Sequence, residues 1–230
     1  MICTLGDLLL DVIVLAPREL AAGADTPVET RVASGGQAAN VAAWVVELGE
    51  TARFVGKHAE DEPGELARSL LERRGVALAG PHVQGKTGVV VSFVGPDGER
   101  SMATDRGVSP ELRAEELDAA WFAGCRWLHL SGYSLLAEPI AEAALAAGRT
   151  ARGEGARVSV DLSSWSAIRA YGPERFRGGG IREPRRGSGV HIRLPRVPGP
   201  TGNRLRAIPS RRRGNRIENS PQPPTARPRD

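Results

Sequence analysis

Beyond Phe176 this sequence contains no phenylalanine, tryptophan, tyrosine, methionine or cysteine. The 53 residues from Gly178 to Asp230 hold ten apolar side chains and nine of the 17 prolines. A segment so poor in apolar surface cannot offset the entropy of ordering it, which excludes a packed core there. Lysine is missing from it as well, while 13 arginines stand against three acids (Glu183, Glu218 and Asp230), a net of +10. The whole chain carries +4, so residues 1–177 carry −6 and the basic character belongs to the tail alone. Two parts are therefore expected: a domain-sized body over 1–177 and a disordered Arg/Pro-rich tail over 178–230.

Other scarcities set the compartment. There are two cysteines, Cys3 and Cys125, both in strand-like apolar contexts and without metal-ligand spacing. They are expected to be buried thiols in a reducing cytoplasm. No basic N-terminal region leads into a long apolar run, and no stretch approaches a membrane span. A cytoplasmic protein with no membrane partner is expected.

Within 1–177, apolar runs alternate with helical patterns. Met1–Leu5, Thr51–Gly56, Arg126–Leu130 and Arg157–Leu162 read as buried strands. Helices are predicted over Gln37–Leu48, after Asp61-Glu62-Pro63, over 111–120, over 138–149 and around Pro173–Arg177. Gly49 and Gly75 stand where helix C-terminal caps are preferred. Thr87–Val94 and Glu99–Thr104 flank Gly95-Pro96-Asp97-Gly98, a hairpin signal. This alternation predicts a mainly parallel sheet with helices on its faces, plus hairpin-like pieces around 12–33 and 87–104. Trp44, Trp121 and Trp127 are expected in the core.

The chemistry concentrates at Gly35-Gly36-Gln37-Ala38-Ala39-Asn40. Two glycines at a helix start permit close backbone approach and leave amide groups pointing outward. Gln37 and Asn40 add side chains that both donate and accept, a set suited to a neutral polyhydroxylated ligand. The alternative is a Gly-rich strand-to-helix turn packed for its own sake. Asp11 interrupts an apolar strand, which is costly unless it faces a ligand or pairs with Arg31 or Arg106. Asp161 ends another apolar strand, where open α/β sheets place ligand groups, or else caps the turn at Ser163–Ser166. His129 reads as a satisfied strand-end histidine, and His58, His82 and His191 form no ligand pattern.

These residues resemble the ribokinase-like, or PfkB, carbohydrate kinase family. Gly35, Gly36, Asn40, Ala42 and Gly49 match its N-terminal signature, whose final glycine is replaced by Ala59. Gly6-Asp7-Leu8-Leu9-Leu10-Asp11, Asp61-Glu62-Pro63-Gly64, Thr87-Gly88 through Asp105-Arg106-Gly107, His129-Leu130-Ser131-Gly132-Tyr133 and Val160-Asp161 resemble further segments in the family's order. The resemblance implies a ribokinase-like, Rossmann-type three-layer α/β/α sandwich with a small β-lid, its C-terminal part missing. It implies ATP- and Mg2+-dependent phosphorylation of a sugar or sugar-like compound, and a homodimer formed through the lid. Asp11, Gly35, Gly36, Gln37, Asn40 and Arg106 would bind substrate, with Ser131, Tyr133 and Asp161 facing the cleft.

The resemblance stops near Phe176-Arg177. The Gly-Ala-Gly-Asp segment that supplies the family's catalytic base and anion-binding amides does not follow Asp161. The cluster Gly178–Gly180 has no aspartate beside it. A reading-frame shift in a GC-rich coding sequence would produce such Arg/Pro-rich text, and an inactive chain is expected. The alternatives are a pseudokinase that binds sugar without phosphorylating it, or a basic tail binding nucleic acid by electrostatics alone.

Overall fold

The structure, a computed structural model, describes residues 1–16, 19–162 and 164–174. The chain divides into two units, Met1–Arg193 and Leu194–Asp230, and the described residues all belong to the first. The expected tail over 178–230, with His191 and Gly178–Gly180, lies outside them.

In chain order the elements are β1 (Ile2–Leu5), β2 (Leu9–Leu15), β3 (Glu29–Gly35), α1 (Gln37–Glu47), β4 (Ala52–Val55), β5 (His58–Ala59) and α2 (Glu62–Glu72). They continue with β6 (Ala77–Ala79), β7 (His82–Val83), β8 (Gly88–Val94), β9 (Arg100–Thr104), β10 (Trp127–Leu130), α3 (Ile140–Gly153), β11 (Arg157–Val160) and α4 (Trp165–Tyr171). Five strands form a parallel sheet in the order β11-β10-β1-β4-β6. From β1 the chain builds outward through β4 and β6, then crosses back to place β10 on the other side of β1. A sheet of this kind has its ligand crevice where that reversal occurs, at the carboxyl ends of β1 and β10.

Each face of the sheet has its own core. Cys3, Leu5, Val55, Leu128 and Leu130 pack with Ile140, Ala143, Ala144 and Ala147 of α3. On the opposite side Ala52 and Phe54 meet Ala38, Ala39, Ala42 and Ala43 of α1 and Leu71 of α2. The small alanine stripe lets α1 lie close against the strands, which fixes where its N-terminus points. Both cysteines are free and buried, as expected.

The predicted hairpin pieces join into one four-stranded lid in the order β3-β2-β8-β9. Its strand β2 starts at Leu9, where Leu9 pairs with both Gly35 and Gly88, so the lid begins nearer the sheet than position 12. The outer strand β9 is exposed along its whole length.

Three expectations are corrected. Trp44 is 61% exposed and Trp127 37%, so neither is core. The alanines already fill the buried side of α1, and Trp127 lies at the outer start of β10 with Arg157 stacked 5.8 Å from its ring centroid. The helix predicted over 111–120 is three short 3-10 turns at Ser109–Glu111, Ala114–Glu116 and Ala119–Phe122. There Glu116 accepts from the Arg113 N–H at 2.8 Å and Asp118 from the Ala120 N–H at 2.8 Å, so side chains restart the backbone at the second and third turns. An unpredicted short helix forms at Trp165–Tyr171 and ends at Gly172 with φ 98°, and Pro173 and Glu174, the described part of the span predicted around Pro173–Arg177, are helical. Residues 175–177 of the predicted span lie outside the described residues.

His58 couples β5 to α2 and makes stability depend on pH. Its Nδ1 donates to the Gly56 carbonyl at 3.0 Å and its Nε2 accepts from Arg68. Burial, reinforced by the Arg68 charge, lowers its pKa to about 4 from an ordinary 6.5. Between those values the unfolded chain binds a proton that the folded one refuses. Stability present above 6.5 is therefore lost as pH falls toward 4, by about 2–3 kcal/mol. Chemical denaturation at pH 7.5 and 5 is expected to show that loss, and His58→Gln to flatten it.

Candidate functional site

At the carboxyl end of β1 the chain reads Gly6-Asp7, and at that of β10 Leu130-Ser131. A side chain on Gly6 would meet Ala38 Cβ at 2.8 Å and Ser131 Cβ at 2.9 Å, so β1, α1 and the loop after β10 converge there. Gly36 stands at the N-terminus of α1 with φ 93°, where an added Cβ would overlap the Asp7 carbonyl oxygen. α1 has no side-chain cap, leaving the N–H groups of its first turn for other acceptors. Gln37, the first helical residue, accepts at Oε1 from Ser131 Oγ at 2.8 Å. Asn40, one turn on, is half-buried.

Asp11 comes to this mouth from the lid. In the β2–β3 ladder Asp11 pairs with Ala33 and Leu9 with Gly35, so Asp11 and Gly35 share one face. The Asp11 carboxylate occupies the space a Gly35 side chain would need. Among the described residues no hydrogen bond or ion pair reaches that carboxylate; Arg31 pairs with Glu29 at 2.8 Å and Arg106 with Asp7. Both pairings considered for Asp11 from sequence are thus absent. Its pKa is raised by burial, with no compensating cation.

Arg106 lies at the foot of the lid with its backbone against Gly88. Its guanidinium grips Asp7 in a fork, Nε donating to Oδ2 at 2.7 Å and Nη2 to Oδ1 at 2.9 Å. Nη2 also reaches the Tyr133 carbonyl at 3.5 Å. Tyr133 therefore contributes its backbone. Asp161 accepts from the Gly132 N–H at 3.1 Å and meets His129 Nε2 at 3.2 Å, while His129 Nδ1 meets Ser159 Oγ at 3.0 Å. This secures the loop carrying Ser131 and Tyr133, and it confirms His129 as a satisfied strand-end residue.

Two residues were not singled out as site residues from sequence. Asp7, the anchor of Arg106, is an acid directly after a buried apolar strand, the same signal that marked Asp11. Asp61 caps α2 by accepting from the Gly64 N–H at 3.0 Å, and also accepts from the Thr87 N–H at 2.8 Å and from the Thr87 hydroxyl. Burial alone would raise its pKa, but these hydrogen bonds hold it below the ordinary value. Thr87 immediately precedes β8, so Asp61 ties the foot of the lid to α2. Nothing in the spacing of 61 and 87 announces that contact.

The parallel sheet with its reversal at β1 and β10, the four-stranded lid and the helix mouth between them define a ribokinase-like α/β protein. An adenosine kinase from Sinorhizobium meliloti superposes with a TM-score of 0.66 at 27% identity, over 79% of this chain and 63% of that one. A fructokinase from Xylella fastidiosa superposes with a TM-score of 0.62 at 26% identity, over 73% of this chain and 51% of that one.

Residues 1–172 match the pfkB family of carbohydrate kinases, and the chain belongs to that family. Among curated relatives, a probable fructokinase of Arabidopsis thaliana is 35% identical over 133 residues, 56% of this chain and 41% of that protein. An ATP-dependent ribose-1-phosphate kinase of Halopiger xanaduensis is 35% identical over 144 residues, 62% of this chain and 47% of that protein. The chain thus spans less than half the length of these relatives. Among the described residues no helix is long and apolar enough to cross a membrane.

Proposed function

We propose that the mouth of α1 holds the hydroxyls of a sugar or sugar-like polyol, and that the reaction this site serves is transfer of the ATP γ-phosphate to such a compound. The observation that carries the reading is the Asp11 carboxylate, half-buried against Gly35 and without a protein partner among the described residues. A desolvated carboxylate is costly to maintain and is explained by a ligand that donates to it. Two adjacent hydroxyls would satisfy its two oxygens. Gln37, Asn40 and the free amides of α1 would take the remaining donors and acceptors, and Gly35–Gly36 would admit the ligand close to the backbone. Arg106 would hold the base of the lid over it.

The described residues present no preformed metal cluster, and none of them is assigned to ATP. Among them no group of three His, Cys, Asp or Glu could hold a metal ion, and the donors at the mouth of α1 are neutral amides beside an unpaired carboxylate. The letters Asn-x-x-Glu occur at Asn215–Glu218, outside the described residues, but no Gly-Ala-Gly-Asp follows them. No step of phosphoryl transfer is therefore assigned to this chain, which is expected to bind sugar without consuming ATP.

The names of these relatives set the test panel: D-fructose, ribose 1-phosphate and adenosine. Calorimetric titration of the full chain is expected to show binding of at least one of them. A coupled ATP-consumption assay with magnesium is expected to stay at background. Turnover would refute the inactivity; silence of the whole panel in calorimetry would refute the polyol site.

A further inference from the structure

We propose that Cys125 is an oxidation site for hydroperoxides and that Cys3 is its resolving partner, so that oxidation ties β10 covalently to β1.

The two cysteines are far apart in sequence, and the fold brings them together. Both belong to the core between the sheet and α3. Cys3 pairs with Leu128, and the Arg126 N–H donates to the Met1 carbonyl at 2.9 Å, so residues 125–128 run alongside residues 1–3. The thiols lie within hydrogen-bonding reach of each other, with Cys3 donating to the Cys125 sulfur. Their other partners are backbone carbonyls: Trp121 at 3.9 Å from Cys3 Sγ and Trp127 at 3.2 Å from Cys125 Sγ. Thiol hydrogen bonds are weak, so either sulfur can turn toward the other without losing a strong contact.

The same arrangement gives the two sulfurs different roles. The bond from Cys3 lowers the pKa of Cys125, and that bond, reinforced by burial, raises the pKa of Cys3. Cys125 therefore supplies the thiolate, the nucleophilic form. It is also the nearer to solvent, 5% exposed against 0% for Cys3. Its neighbours Ala123, Gly124, Arg126 and Trp127 are exposed, and nothing lies within 4 Å of where a Gly124 side chain would stand. A small uncharged oxidant such as hydrogen peroxide needs only this turn to open.

The Cys125 thiolate attacks one peroxide oxygen, and the O–O bond breaks. The departing hydroxide takes up a proton as water, leaving Cys125 as a sulfenic acid. The Cys3 sulfur then displaces the hydroxyl, which leaves with the Cys3 proton as a second water while the S–S bond forms. Two thiols lose two electrons and two protons, and the peroxide is reduced to two waters. The cross-link closes a long loop, which restricts the unfolded chain strongly.

The test treats the full reduced chain with hydrogen peroxide, at a dose and time that oxidise free glutathione completely. Catalase removes the excess, iodoacetamide alkylates the denatured chain, and peptide mass spectrometry follows. The expected product is a monomer whose Cys3 and Cys125 peptides are joined and unalkylated, and which dithiothreitol returns to two free thiols. Its thermal midpoint should lie at least about 5 °C above that of the reduced chain. Cys3→Ser should leave a sulfenic acid that dimedone traps at position 125, whereas Cys125→Ser should keep Cys3 a free thiol. If either variant fails to fold, the wild-type peptides and midpoint decide alone. Two alkylated thiols, disulfide-linked dimers, or Cys125 carried on to sulfinic acid would overturn the proposal. A disulfide with an unchanged or lowered midpoint would overturn the tie between β1 and β10.

Discussion

Asp11→Asn is expected to stabilise the free protein and to destroy its sugar binding in one step. The carboxylate is held half-buried without a partner among the described residues, and burial raises its pKa. With the folded value above the unfolded one, the folded state holds the proton more strongly, so stability falls as pH rises through that interval. At neutral pH the full penalty of the ionised group is present. An amide of the same shape removes it, and a gain of about 1 kcal/mol should raise the thermal midpoint by roughly 2–4 °C. The same substitution removes a charged acceptor from the ligand, which costs about 1.5–3 kcal/mol, or roughly 10- to 100-fold in affinity. Differential scanning calorimetry with and without sugar reads both effects. A variant less stable than wild type, or one that binds as well, would show that Asp11 serves the fold rather than a ligand.

Gly36→Ala should be among the most damaging single-methyl changes at the described glycines. Its φ of 93° is unfavourable for any side chain, and the added Cβ would overlap the Asp7 carbonyl oxygen. Strain and overpacking together should cost about 3–5 kcal/mol, a large part of the stability of an ordinary domain. Gly49→Ala is the control. Gly49 has nearly the same φ, 91°, but nothing lies within 4 Å of the position its Cβ would take. It should lose only the strain, about 1–2 kcal/mol. Urea midpoints of the two variants isolate the contact between α1 and β1; equal losses would mean that the close approach is unimportant.

Much of this arrangement was legible because it is written locally. The glycine pair, the alanine stripe of α1 and the apolar strand broken by Asp11 each declare their role within a dozen residues. The Asp61 cap and the hairpin at Gly95–Gly98 are local as well, and both stand where expected. What escaped depends on distant partners. Arg106 could be placed under the lid from sequence, but its choice of Asp7 over Asp11 joins residues 99 apart and has no local sign. The 111–120 segment misled because its composition suits a helix, while Glu116 and Asp118 bond backbone groups that a helix would have used. Trp44 misled because size suggests burial, although the alanines had already filled the face turned to the sheet.

The position of β1 has a consequence for how the molecule comes into being. β1 precedes the other described strands in the chain and ends as the middle of its sheet, flanked by β4 on one edge and β10 on the other. Its β4 edge can be paired early, whereas the other must wait until Trp127–Leu130 has left the ribosome. Until then a nearly fully buried strand presents a bare hydrogen-bonding edge, the kind that recruits chaperones or neighbouring chains. The proposed ligand mouth cannot assemble before that same moment, because Ser131 reaches Gln37 across 94 residues. Competence to bind and escape from aggregation are reached together, when β10 docks.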